Sequence, residues 1–163
     1  VLELRKSLEG EEHPSVSCDL LNLSALYGTL QGRYEEAEPL LRQALSIEKR
    51  LDRYQSTAIC LSELARIYKA QNRYQEAEAC YRQILELREH IEGGQYPSFA
   101  QCLNDLAEIC YLQERHDEAE SLYQESIELR KQLYVETGSS VAVVLTNLAK
   151  FYGFQSRYEE AER

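Results

Sequence analysis

With 18 basic and 28 acidic side chains in 163 residues, the chain carries a formal net charge of −10. That balance argues against nucleic acid as a ligand, since no basic stripe emerges to neutralise phosphates. No apolar run approaches the ~20 residues needed to span a bilayer, so membrane insertion is not expected. Three prolines and seven glycines suit long helices and suit sandwiches or barrels poorly.

The opening residues read LELRKSL, which aligns with LELREHI at Leu85–Ile91 and predicts the end of a helix over residues 1–9. The chain then repeats itself. The segment LLNLSALYGTLQGRYEEAEPLLRQALSIEKR starts at Leu20, and LSELARIYKAQNRYQEAEACYRQILELRE starts at Leu61. LNDLAEICYLQERHDEAESLYQESIELRK follows from Leu103 and LTNLAKFYGFQSRYEEAER from Leu145, so the last three copies start 42 residues apart. A fixed period of about 20–50 residues means that one small supersecondary unit is stacked several times. We therefore expect a single array over residues 1–163, with full copies at 15–54, 55–96 and 97–138 and a partial one at 139–163. Incomplete copies at both ends suggest a piece of a longer array, open to end-to-end stacking.

Each copy predicts two helices. On the first, Leu61, Leu64, Ala65 and Tyr68 fall at i, i+3, i+4 and i+7, one face of a 3.6-residue helix. Leu103, Leu106, Ala107 and Cys110 repeat that face, as do Leu145, Leu148, Ala149 and Tyr152. The small residues Ser24, Ala65, Ala107 and Ala149 let backbones approach closely. Ser15, Ser56, Ser98 and Ser140 precede the pattern and are predicted to cap free N–H groups. A polar link such as Gln71–Arg73 leads to a second helix beginning near Tyr34, Tyr74, His116 and Tyr158. Its close-packing alanines are Ala37, Ala77, Ala119 and Ala161, and its stripe continues through Tyr81, Ile84, Leu87 and Ile91. The first copy departs by one residue: Tyr27 to Tyr34 spans seven positions, Tyr68 to Tyr74 six, an insertion near Gly28–Gly32 expected to lie in the turn.

This pattern resembles the tetratricopeptide repeat family: Leu64, Ala65 and Tyr68 match its first-helix signature, and Ala77 and Tyr81 its second. Ile84 departs from the family's final Ala. The ordinary unit closes with Pro, where this chain has Lys49, Glu89 and Lys131, so the second helix can run on to Leu51, Ile91 and Leu133. A 42-residue unit with the tails ALSIEKRL, ILELREHI and SIELRKQL is similar to the kinesin light chain subfamily. The resemblance implies an all-α, right-handed superhelical solenoid of antiparallel helix pairs. It also implies that the first helices line a concave groove in which a protein scaffold or adaptor holds a peptide segment of its partner.

The residue before each key Leu projects toward that groove: Asn22, Glu63, Asp105 and Asn147. Three residues on come Ala25, Arg66, Glu108 and Lys150, and then Gly28, Lys69, Tyr111 and Gly153. In the resembling family an Asn at the first place bonds the backbone of an extended peptide, a role open to Asn22 and Asn147 because an amide both donates and accepts. Kinesin light chain grooves read acidic motifs with basic residues. Here Glu63, Asp105 and Glu108 stand against Arg66, Lys69 and Lys150, so the expected ligand has mixed or locally basic charge. The alternative is a structural or oligomerising spacer whose groove is idle.

Much of the acidity has a structural explanation. Acidic residues such as Glu35, Glu36, Glu76 and Asp117 gather where second helices begin, and basic ones such as Lys49, Arg50 and Arg130 where they end, complementing the helix dipole. Chemistry is not signalled. His13, His90 and His116 occupy different places in the copies, and no HExxH, Gly-rich phosphate loop or GxSxG elbow occurs. We expect no catalysis, no metal and no cofactor. The five cysteines lack CxxC spacing and read as small buried residues of a reducing, cytoplasmic compartment.

Overall fold

The computed structural model describes residues 2–30, 32–91, 97–137 and Gly153. Among them every regular element is helical: α1 (Leu2–Glu9), α2 (Pro14–Ala25), α3 (Tyr34–Arg50), α4 (Tyr54–Ala70), α5 (Tyr74–Glu86), α6 (Pro97–Leu112) and α7 (His116–Thr137). A π-helical turn, Leu26–Leu30, continues α2, and a 3₁₀ turn, Leu87–His90, continues α5. The chain is an all-α repeat array. It divides into two compact units, Val1–Gly94 and Gln95–Arg163.

In the first unit α2 packs on α3, α4 on α5, and α3 also against α4. The expected stripes supply the core. Val16 and Leu20 of α2 meet Ala44 and Ile47 of α3 and Cys60 of α4 in one cluster. Leu61, Leu64, Ala65 and Tyr68 are buried with Ala77, Tyr81 and Ile84. Full burial of each large aliphatic or aromatic side chain contributes roughly 1.5–3 kcal/mol. In the second unit α6 packs on α7, burying Phe99, Leu106, Ala107 and Cys110 with Ala119 and Leu129. Ser126, which stands in the apolar stripe of α7, is satisfied there by donating to the carbonyl of Ala100 at 2.6 Å.

Three α-helices end in the same way. Asp52, Asn72 and Glu114 take left-handed φ values of 51°, 59° and 62°. The next N–H turns back to a carbonyl five residues earlier: Arg53 to Glu48 at 3.1 Å, Arg73 to Tyr68 at 2.8 Å and Arg115 to Cys110 at 2.9 Å. This left-handed closure satisfies carbonyls that the helix end would otherwise leave open. The first copy needs an extra residue to do so. Its left-handed residue is Gly32 at φ 64°, and Arg33 N–H reaches back six residues to Tyr27 O at 2.9 Å.

That extra residue corrects one sequence expectation. It is absorbed in the helix, as the π turn, rather than in the link. Gly28 is consequently buried instead of lining the groove; a Cβ built on it would lie 3.5 Å from Ala37 Cβ and 3.6 Å from Ile67 Cδ1. A second correction concerns the caps. The first helices start at Pro14, Tyr54 and Pro97, so Ser15, Ser56 and Ser98 sit inside the first turn. His13 caps α2 through Nδ1, which accepts from Ser15 N–H at 3.3 Å, and Arg53 before α4 makes no side-chain cap. The second-helix extension occurs in α3, to Arg50, whereas in α5 it tightens into the 3₁₀ turn. Ser140, Tyr158 and Ala161 lie outside the described residues.

Candidate functional site

The face of α2 opposite Val16, Leu20 and Ser24 meets solvent, and Asn22 is exposed on it with Ala25 three residues on. On α4 the equivalent column carries Glu63, Arg66 and Lys69, all half-buried. Arg66 donates to Glu63 Oε2 through Nη2 at 2.6 Å and Nε at 3.2 Å, so these two charges cancel within one turn. The small residues Ser24 and Ala65 stand buried behind these columns, and Cys60 on α4 shares a core cluster with Val16 and Leu20 on α2.

In the second unit the α6 column holds Asp105, Glu108 and Tyr111, again half-buried. Gln101, one turn before Asp105, donates to its Oδ1 at 3.1 Å and accepts from Arg130 Nη2 at 2.8 Å. Tyr111 meets His116 edge-on, with ring centroids 5.2 Å apart. Burial, and then the negative charges of Glu108 and Asp105, push the Tyr123 phenol up to about 12. This places the phenol of α7 within the field of the α6 carboxylates. Asn147 and Lys150 lie outside the described residues; Gly153 is exposed.

The expected site residues that the structure describes thus reach solvent, Asn22 fully and the others in part, but three neighbours in the same columns escaped the sequence reading. Cys18, Ile59 and Gln101 stand one turn before Asn22, Glu63 and Asp105, and all three are exposed. Extending each column by one turn toward the helix N-terminus would have found them.

A second feature escaped as well. Arg33, Arg73 and Arg115 each precede a second helix and pair with the glutamate three residues on: Arg33–Glu36 at 2.5 Å, Arg73–Glu76 at 2.9 Å and Arg115–Glu118 at 3.0 Å. The Arg33 and Arg73 guanidiniums also lie over the rings of Tyr27 and Tyr68, 4.6 and 4.4 Å from the centroids. Where the third copy has Cys110 instead of Tyr, Arg115 donates to its Sγ at 3.2 Å. Arg73 reaches further, to Glu38 of α3 at 2.8 Å, and Glu38 also takes Arg42 at 2.7 Å and the Tyr68 hydroxyl at 3.2 Å. The side-chain bonds from Glu38 and Glu76 hold the Arg73 pKa above the usual guanidinium range, and Arg73 holds Glu76 below the usual carboxylate range. The signal was present as R-x-x-E in all four copies, Arg157 and Glu160 included.

The histidines are engaged in structure. His90 stacks on Tyr54 with centroids 4.7 Å apart, and His13 Nδ1 has two alternative partners: without a proton it accepts from Ser15 N–H, and with one it pairs with Glu9 at 3.0 Å. The Ser15 hydroxyl, more than any charge, holds the Glu9 carboxyl below its usual range. Four of the five cysteines are buried and Cys18 is exposed. Among the described residues no group of three His, Cys, Asp or Glu side chains could hold a metal ion, and no helix is long and apolar enough to cross a membrane.

The tetratricopeptide repeat family model matches residues 1–50, 20–90, 56–132 and 98–163. No curated protein sequence matches the chain. Among solved structures, BtubC (BKLC) from P. vanneervenii is 22% identical with a TM-score of 0.74, covering 81% of this chain and 53% of its own. This chain thus spans about half of that protein. A kinesin light chain-like protein of Podosopora anserina with nearly identical TPR-like repeats is 25% identical in two structures, with TM-scores of 0.69 and 0.68. Each match covers 99% of this chain, and 76% and 77% of the other.

Proposed function

Because the chain belongs to the tetratricopeptide repeat family, we propose that it is a non-catalytic scaffold whose first helices hold a peptide segment of a partner protein. Asn22 is exposed on the solvent-facing column of α2, and this is the observation that carries the reading. Its amide can donate to and accept from one peptide unit of an extended ligand, as can that of Asn147. Glu63, Arg66 and Lys69 flank it with mixed charge in the first unit. In the second unit Asp105 and Glu108 supply carboxylates, with Tyr111 beside them and Lys150 further along the chain. A ligand of mixed or locally basic charge complements these columns better than an acidic one. A cytoplasmic setting belongs to the same reading, in which the buried Cys60, Cys80, Cys102 and Cys110 serve as small apolar side chains.

The test is selection of binders from a phage-displayed library of short random peptides on the full chain. Peptides should be enriched, and the Asn22→Ala, Asn147→Ala double variant should lose them while its melting temperature stays within a degree or two, as surface changes rarely shift stability by more than about 0.5 kcal/mol. Undiminished binding by the folded double variant would remove the groove reading.

A second reading, an array that associates with copies of itself, draws support from α1. Leu4 and Leu8 lie on one face of that helix at 64% and 75% exposure. Sedimentation over a concentration series decides it: mass that rises with concentration in the native chain and not in the Leu4→Ser, Leu8→Ser variant supports association, and a constant monomer mass rejects it.

A further inference from the structure

The solvent-facing side of the first unit contains an uncharged strip beside Asn22. Cys18 precedes Asn22 by one turn on α2, and Ile59 precedes Glu63 by one turn on α4, so each shares a helix face with the residue that follows. Cys18 is exposed and Ile59 is 45% exposed, although their chain neighbours Ser17, Ala58 and Cys60 are buried. The two lie on either side of one contact. Val16 and Leu20, which flank Cys18 on α2, pack with Cys60, the residue after Ile59.

Single exposed aliphatic residues are ordinary on protein surfaces. The repeats provide an internal control, however. The equivalent place on α6 is Gln101, exposed and hydrogen-bonded to Asp105. The fold therefore tolerates a polar side chain there, and packing does not require Ile59 or Cys18 to be apolar. The charged residues next along the two helices are already matched: Asp19, which follows Cys18, holds Arg5 at 2.7 Å, and Glu63, one turn after Ile59, holds Arg66 at 2.6 Å. An ionised ligand group seated between them would give up hydration without an uncommitted counter-charge, whereas an apolar one loses nothing.

We propose that Cys18 and Ile59 form the seat for an uncharged, apolar side chain of the same partner peptide whose backbone Asn22 holds. The inference rests on the peptide-binding reading above and sharpens it. A ligand of this chain carries an aliphatic or aromatic residue within a turn's distance of the peptide unit bound by Asn22, and its charged residues fall elsewhere.

The same library selection on the full chain tests it, with two added measurements. Enriched peptides should share an apolar residue at one position, and saturating peptide should slow alkylation of Cys18 by iodoacetamide, Cys18 being the one exposed cysteine of the five. The Ile59→Gln variant, which installs the residue α6 carries at this place, should bind those peptides about tenfold more weakly and lose the apolar consensus on reselection. Cys18→Ser provides a second variant with unchanged packing behind it and should weaken the same peptides in the same direction. Peptides that are lost with Asn22→Ala yet share no apolar residue, or leave Cys18 alkylation unchanged, overturn the seat and leave the peptide-binding reading standing. No enrichment, or enrichment indifferent to Asn22→Ala, overturns both.

Discussion

At the scale of single residues, the cysteines divide by chemistry as well as by depth. Burial, then the carboxylate of Glu48, pushes the Cys60 thiol up to about 12, and burial pushes Cys80 up to about 11. An acid whose native pKa lies above its unfolded value of about 8.5 keeps its proton in the fold while the unfolded chain releases one. Its contribution is complete below that unfolded pKa and is lost as pH rises toward the native one. Urea midpoints should therefore fall between about pH 7.5 and about pH 10, and Cys60→Ala should shrink the difference. An equal drop in wild type and variant would contradict the assignment. Glu114 offers a separate test. It holds φ 62° where the first copy uses Gly32, and a non-glycine residue in that region costs about 1–2 kcal/mol. Glu114→Gly should raise stability by up to about 1 kcal/mol, the remainder being offset by the greater freedom of glycine in the unfolded chain.

At the scale of elements, the turns between paired helices are more than connections. Arg73 closes the end of α4 with its N–H, covers the ring of Tyr68, and reaches Glu76 of α5 and Glu38 of α3. One side chain thus joins three helices. Glu38 is the partner with least alternative, being 14% exposed at its side chain and accepting from Arg42, Tyr68 and Arg73. Glu38→Ala should cost about 1–3 kcal/mol, because it takes the acceptor from the hydroxyl of buried Tyr68 as well as removing the contacts of Arg42 and Arg73. A double-mutant cycle with Arg73→Ala should show coupling between the two; strict additivity would mean that the pair contributes nothing. The helices themselves were legible in the sequence because their apolar stripes recur with a helical period in every copy. The turns were not read correctly, for identifiable reasons. Ser15 and Ser56 look like caps but follow Pro14 and Tyr54, which already lie in the helix. Arg33, Arg73 and Arg115 look like solvated charge unless their spacing to the next glutamate is noticed. The solvent-facing columns were half legible: Asn22, Glu63 and Asp105 followed from their place before a key Leu, whereas Cys18 and Ile59 carry no polar signal in an already apolar helix.

At the scale of the whole molecule, each unit has a core made from its own residues, and an array of this kind holds its stability in local interfaces. Leu20 is fully buried within the first unit, and Leu20→Ala should cost about 2–5 kcal/mol there. Hydrogen exchange should then show lost protection across α2 to α5, with amides of α6 and α7 protected as in the native chain. A uniform loss over all helices would point to a single cooperative block. The net charge of −10 belongs to this scale too. Acidic side chains are consumed pairwise by Arg33, Arg66, Arg73, Arg82 and Arg115, each with a glutamate three or four residues away. The excess is a property of the helix surfaces, and it disfavours association with polyanions.

The π turn after Ala25 has a consequence for descent. An extra residue there neither lengthens the link nor unseats the closing arginine: Arg33 still covers Tyr27 at 4.6 Å, against 4.4 Å for Arg73 over Tyr68. Copies in such a chain can gain or lose a codon without losing their fit to the neighbouring copy. Mutation then tries new solvent-facing surfaces one residue at a time, and an exact sequence period ceases to be a condition for inheriting the fold.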